Sequence, residues 1–117
     1  LFSKHRYLSA QMAAYLRDGL WLEAARKANA AAARLTAGLT DAGAGFANPT
    51  QANMIFTRLP RATHRRLMQA GAVYHLWEAT LDGGPEDELV TARLVCDWSC
   101  NDDAISRFLD ALATEPA

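Results

Sequence analysis

The chain has 117 residues, half of them hydrophobic and 21% charged, with a net charge of −1. That length is enough for one domain with one substantial core. The near-neutral balance supplies no global field for nucleic acid or anionic membranes, and the apolar runs stop well short of the roughly eighteen residues of a membrane helix.

No signal-peptide pattern is present, and Cys96 and Cys100 alone give no sign of an oxidising compartment, so a cytoplasmic setting is expected. The sequence opens at Leu1, without Met, on the approach to a helix. It reads as the back part of a longer polypeptide holding only part of an active site.

Residues 3–40 carry helical periodicity. Leu8, Met12, Tyr15 and Leu16 form one apolar stripe; Leu20, Ala24, Ala28, Ala31, Ala32, Leu35 and Leu39 form a second. Asp18-Gly19 predicts a break between them, with Asp18 as N-cap of the longer helix. The alanine content of the second stripe predicts close approach to neighbours, with cover on more than one side. Asp41 to Thr50, rich in Gly, Asn and Pro, reads as a loop.

Asn53–Leu59 predicts a strand stopped by Pro60, and Ala62–Ala70 a short helix ended by Gly71. Val73–Trp77 is a second strand. Asp82-Gly-Gly-Pro85 has hairpin chemistry and leads into a third; the Pro85-Glu-Asp-Glu88 stretch reads as a solvated part of that hairpin. A helix over Asn101–Ala113 closes the chain, with Ser99 and Asp102 as a capping-box variant. The order predicts a two-layer α+β domain: about three largely antiparallel strands, helices on one face, the other face open, and a long helix leading in.

The third strand carries the most informative residue. Alternation along 88–98 puts Val90, Ala92, Leu94, Cys96 and Trp98 on the core side, and Thr91, Arg93, Val95 and Asp97 on the other. Arg93 therefore stands mid-strand on the open face. A guanidinium on stiff backbone suits bidentate capture of a carboxylate or phosphate, and on local sequence alone a cross-strand ion pair competes with that reading.

Other chemistry is thinly represented. No Walker loop, G-x-G-x-x-G, H-E-x-x-H or G-x-S-x-G occurs. Cys96, Cys100, His64 and His75 fit no usual zinc spacing, so no metal is expected. Arg58–Arg66 is the one basic cluster; without interleaved aromatics it reads as a solvated helix face and not a nucleic-acid site. Lys4, His5 and Arg6 oppose the dipole of the first helix, which is tolerated more readily if an anion is bound there or if the helix really begins elsewhere. Tyr7, Tyr15, Trp21, Tyr74 and Trp77 read as core and interface material.

Several segments resemble low-specificity L-threonine aldolases, in register along essentially the whole chain. Lys4-His-Arg-Tyr-Leu-Ser-Ala-Gln11, Asp18-Gly-Leu-Trp21 and Ala28-Asn-Ala30 are similar to the helical stretch after that family's cofactor domain. Pro49-Thr-Gln-Ala-Asn-Met-Ile-Phe-Thr-Arg-Leu-Pro60 resembles its entry into a strand. Val73-Tyr-His-Leu-Trp77 looks like its aromatic strand, and Ala92-Arg-Leu-Val-Cys-Asp-Trp-Ser-Cys-Asn-Asp-Asp103 like its last strand and acidic-capped helix.

The resemblance implies the small C-terminal domain of a fold-type-I pyridoxal-phosphate lyase, with residues 1–41 leading into and packing on an α+β unit over 42–117. It implies that Arg93 holds the substrate α-carboxylate, and that Lys4 or Arg6 reaches the cofactor phosphate of a neighbouring subunit. The whole enzyme would cleave L-threonine, L-allo-threonine or related β-hydroxy-α-amino acids to glycine and an aldehyde. Its partners would be the chain's own N-terminal cofactor domain and further copies, as a dimer or tetramer. Lys4 and Lys27 lack the context of the Schiff-base lysine, so no catalytic residue is expected here and the fragment alone should be inert. The alternatives are the small domain of another fold-type-I lyase or transferase, and a cofactor-free α+β interaction module.

Overall fold

The computed structural model describes residues 3–114; the outer ends of the expected division into 1–41 and 42–117 lie outside the described residues. The leading segment forms α1 (His5–Leu16) and α2 (Leu20–Asp41). Between them Asp18 (φ 54°) and Gly19 (φ 75°) both take left-handed backbone, which cannot continue a right-handed helix. Asp18 thus breaks the helix and does not cap it. Gly19 holds the N-cap position of α2, and no side chain bonds the free amides there.

On α2 the buried residues are Ala28, Ala31, Ala32, Leu35 and Leu39, one stripe in its second half. Within this chain the Ala-rich helix is therefore covered on one side, not on several as expected. α1 buries nothing among the described residues.

Four strands follow: β1 (Gly45–Phe46), β2 (Met54–Pro60), β3 (His75–Leu76) and β4 (Leu89–Val95). They form one antiparallel sheet in the order β1-β2-β4-β3. The α+β class, the open sheet face and the long leading helix are as predicted, with one strand more. β1 lies inside the expected loop, and two residues are too few to show alternation. It exists because Gly45 pairs with Arg58 and Phe46 with Thr57, whose hydroxyl donates to Gly45 O at 3.2 Å.

Register fixes which side chains share a face. Ile55–Leu94, Thr57–Ala92 and Leu59–Val90 are opposed pairs, and all six are buried. Of these, Ile55, Leu59, Ala92 and Leu94 meet Leu67 of α3 (Arg61–Gln69), Ile105 and Leu112 of α4 (Asp102–Ala113), and Ala31, Ala32, Leu35 and Leu39 of α2 in a single core. Each fully buried Leu or Ile there contributes about 1.5–3 kcal/mol. The opposite face carries Met54, Phe56 and Arg58 on β2 beside Val95, Arg93 and Thr91 on β4.

The end of β4 departs from expectation. The strand stops at Val95, and Cys96 stays buried, with its N–H donating to Asn53 O at 2.9 Å. Asp97 then starts a turn: its Oδ1 accepts from Ser99 N–H at 2.8 Å and from the Ser99 hydroxyl at 2.7 Å. That turn swings Trp98 out to 66% exposure, so it is not a core residue. Ser99 is committed to Asp97, and Asn101 caps α4 instead, its Oδ1 accepting from Ala104 N–H at 2.9 Å.

Candidate functional site

Arg93 sits at the centre of the open sheet face. Across the strands its neighbours are Phe56 on β2 and His75 on β3. Trp77 extends the ladder one residue beyond β3, its N–H donating to Thr91 O at 2.8 Å. The Trp77 and Phe56 rings meet edge-to-face with centroids 5.4 Å apart, and the Arg93 guanidinium carbon lies 5.6 Å from the indole centroid. Arg93 Nε is shut off from solvent and has no hydrogen-bond partner among the described residues. The expected rival, a cross-strand ion pair, is not formed among the described residues: Phe56 and His75 occupy both opposing positions.

The arginines that have side-chain or carbonyl partners contrast with it. Arg34 donates to Asp102 and, at 2.9 Å, to Ser106 Oγ. Arg61 donates to Glu88, to Thr80 O and, at 3.3 Å, to Pro85 O. Arg65 reaches Leu81 O at 2.9 Å and Glu86 at 3.2 Å. Arg66 donates to Ala111 O and, at 3.1 Å, to Leu112 O, where a cation also suits the C-terminal dipole of α4.

Part of the cluster read as a solvated helix face thus faces inward, while Arg58 stays exposed on β2. Arg61 is 4% exposed and His64 fully buried, because α3 turns that side onto the sheet and the 80–88 loop. By the same contacts Glu86 and Glu88 are partners of Arg65 and Arg61, not merely solvated hairpin residues.

His64 Nε2–H donates to Val90 O at 2.9 Å and its Nδ1 accepts from the Tyr74 hydroxyl at 3.0 Å, an arrangement of the neutral ring. Desolvation, with the nearby Arg61 charge, holds it below the ordinary histidine range despite the Val90 carbonyl. Both ring nitrogens are occupied structurally, which leaves none for a metal. Among the described residues no three His, Cys, Asp or Glu side chains converge as metal ligands.

Cys96 and Cys100 line one cavity of about 400 Å³ with Tyr74, Phe108 and the start of α4. Burial, reinforced by Cys100, pushes the Cys96 thiol up to about 11, which keeps it protonated and unreactive at neutral pH.

Lys4 occupies the N-cap position of α1 and Arg6 its first turn, both exposed, with no acidic residue in that turn. They sit on α1 while Arg93 sits on β4, so this chain holds them on separate elements. Lys27 pairs with Glu23 at 2.6 Å on an exposed face of α2. Of the aromatic residues read as core and interface material, Tyr74 is half-buried, against His64 and Phe108, and Tyr7, Tyr15, Trp21 and Trp77 are exposed. Sequence reasoning missed Phe56 and Trp77 as companions of Arg93. The β2–β4 and β3–β4 register, once known, is the signal that finds them.

No family model matches the sequence, and no curated protein does. Among solved structures, a threonine aldolase from Leishmania major superposes with a TM-score of 0.73 at 26% identity. The chain has a threonine-aldolase-like fold. The match covers 85% of this chain and 27% of the Leishmania chain, so the chain spans about a quarter of the threonine aldolase it matches. No helix among the described residues is long and apolar enough to cross a membrane.

Proposed function

We propose that this chain is the small C-terminal domain of a pyridoxal-phosphate-dependent aldolase acting on β-hydroxy-α-amino acids such as threonine, and that Arg93 holds the substrate α-carboxylate. One observation carries the reading. Among the described residues Arg93 pairs with no acid, and its guanidinium is held against the Trp77 ring instead. A half-buried charge is ordinarily paired, so the lack of an acid calls for an explanation. An arginine whose anion arrives with the substrate supplies one: the fold reserves the charge and leaves its acceptor to come from outside.

The residues fit an accessory part of such a site. Neither lysine is offered to a cofactor aldehyde, since Lys27 is paired with Glu23 and Lys4 ends a solvated helix. Bound by the remainder of the enzyme, the cofactor supplies the electron sink that lets the Cα–Cβ bond break. Arg93 contributes orientation: gripping the carboxylate fixes rotation about Cα, so that the bond to be cleaved stands out of the plane of that sink. Lys4 or Arg6 is assigned to the cofactor phosphate of a neighbouring subunit, which cofactor affinity in the Lys4→Ala and Arg6→Ala enzymes reads out. Residues 1–41 lead into the domain and 42–117 form it.

The test is made in the complete enzyme. Arg93→Lys keeps the charge but loses the two-pronged geometry, and should cost roughly 2–4 kcal/mol in kcat/KM for threonine. Assaying the wild-type enzyme on threonine, phenylserine, tryptophan and tyrosine identifies the substrate class. Wild-type kinetics in the Arg93→Lys enzyme would end the assignment.

A further inference from the structure

The open face assigns Arg93 a keeper. We propose that Trp77, braced by Phe56, is the positioning residue that points the two terminal nitrogens of Arg93 at the carboxylate. This rests on the reading of Arg93 given above.

A long side chain on an open sheet face has several staggered rotamers available, and freezing it at the moment of binding costs entropy. Arg93 is held beforehand. The indole lies on one side of the guanidinium at 5.6 Å, within the range of a cation–π contact, and the Phe56 ring meets that indole edge-to-face at 5.4 Å. Both rings ride on β backbone: Phe56 pairs directly with Arg93, and the Trp77 N–H is bonded to Thr91 O at 2.8 Å.

The residue after Trp77 carries a further mark. Glu78 is a non-glycine residue in left-handed backbone, φ 59°. Such a conformation is uncommon outside glycine and is unfavourable. Here it ends the ladder one residue past the indole and turns the chain away, so Trp77 is the last residue on this edge whose position the sheet dictates.

The clamp also selects an edge of the guanidinium. Nε is sealed and unpaired, so a carboxylate cannot take the side-on Nε–Nη edge in this arrangement. What remains is the end-on edge, Nη1 and Nη2, neither of which is among the buried unpartnered atoms of this half-buried residue. Trp77 thereby determines both where the anion sits and how it is rotated.

The experiment compares equilibrium binding of glycine and of methylamine, the same amine without the carboxylate, to the complete holoenzyme by calorimetry. Trp77→Leu should weaken glycine roughly 3- to 20-fold and leave methylamine unchanged. Trp77→Phe should restore most of the loss, since a ring face returns. Phe56→Leu removes the brace alone and should show the same selectivity at smaller size, which keeps the test in hand should Trp77→Leu fail to fold.

Unchanged glycine binding in Trp77→Leu, beside a clear loss in Arg93→Lys, overturns the clamp and leaves the Arg93 assignment standing. Equal weakening of both ligands overturns it too, as a merely structural role would do that. Unchanged glycine binding in Arg93→Lys removes the carboxylate assignment, and the clamp with it.

Discussion

Arg61 spends its guanidinium on Thr80 O, Pro85 O and the Glu88 carboxylate, beneath Gly84, where any added Cβ would run into that pair. It pins the 80–88 loop to α3, and removing it would free that loop from both carbonyl bonds and the Glu88 pair. His64, one turn further along α3, has a comparable duty towards Val90 and Tyr74, with a pH signature. Its folded-state affinity for protons is lowered, chiefly by desolvation. Below an ordinary unfolded pKa of about 6.5 the unfolded chain gains a proton that the native ring resists, so stability falls as pH falls through that window. The urea midpoint should therefore drop between pH 7 and pH 5, with a shallower drop in His64→Gln. Equal slopes in the two proteins would show that His64 is not the group responsible.

The helices meet closely at one point that composition hides. Gly38 on α2 faces Leu109 on α4, and a Cβ at Gly38 would overlap the Leu109 methyl groups. Replacing a mid-helix glycine by alanine usually gains up to about 1 kcal/mol of propensity. Here the overpacking, typically about 1–3 kcal/mol, outweighs that gain. Gly38→Ala should destabilise by about 1–2 kcal/mol in urea titration, and the cost should vanish when Leu109→Ala is added. Additive effects of the two substitutions would contradict this account of the α2–α4 contact. The same logic of local contacts explains why α4 is capped by Asn101: Asp97 captures Ser99 first, and the turn so formed also ejects Trp98.

The molecule measures 56 × 28 × 25 Å, with a Cα radius of gyration of 17.5 Å. A compact domain of this length would have about 13 Å. The excess is an arm, α1 and the first half of α2, that displays Tyr7, Leu8, Met12, Tyr15, Leu16, Leu20 and Trp21 to solvent. So many large apolar side chains on one arm mark a surface meant to be covered, in keeping with the proposed cofactor domain and subunit contacts. In the complete protein, Leu16→Glu should reduce assembly, read as molar mass by light scattering. It should leave the α+β core intact by circular dichroism, because Leu16 is 56% exposed here. Unaltered mass would argue that the arm is not an assembly surface.

Local pattern was enough for α1, α2, β2, α3, β4 and α4, because each has several turns or residue pairs in which period and punctuation repeat. It was also enough to put Arg93 on the uncovered side of β4, since alternation needs only one strand. Two-residue β1, the outward Trp98 and the inward Arg61 and His64 were beyond its reach, as each depends on a partner distant in sequence. The same holds for the site. The sequence alone offered an arginine with two competing uses. Strand register set Phe56 and His75 opposite Arg93 and Trp77 beside it, so that the expected ion pair does not form there among the described residues, and register is a property of paired chains that no single strand carries.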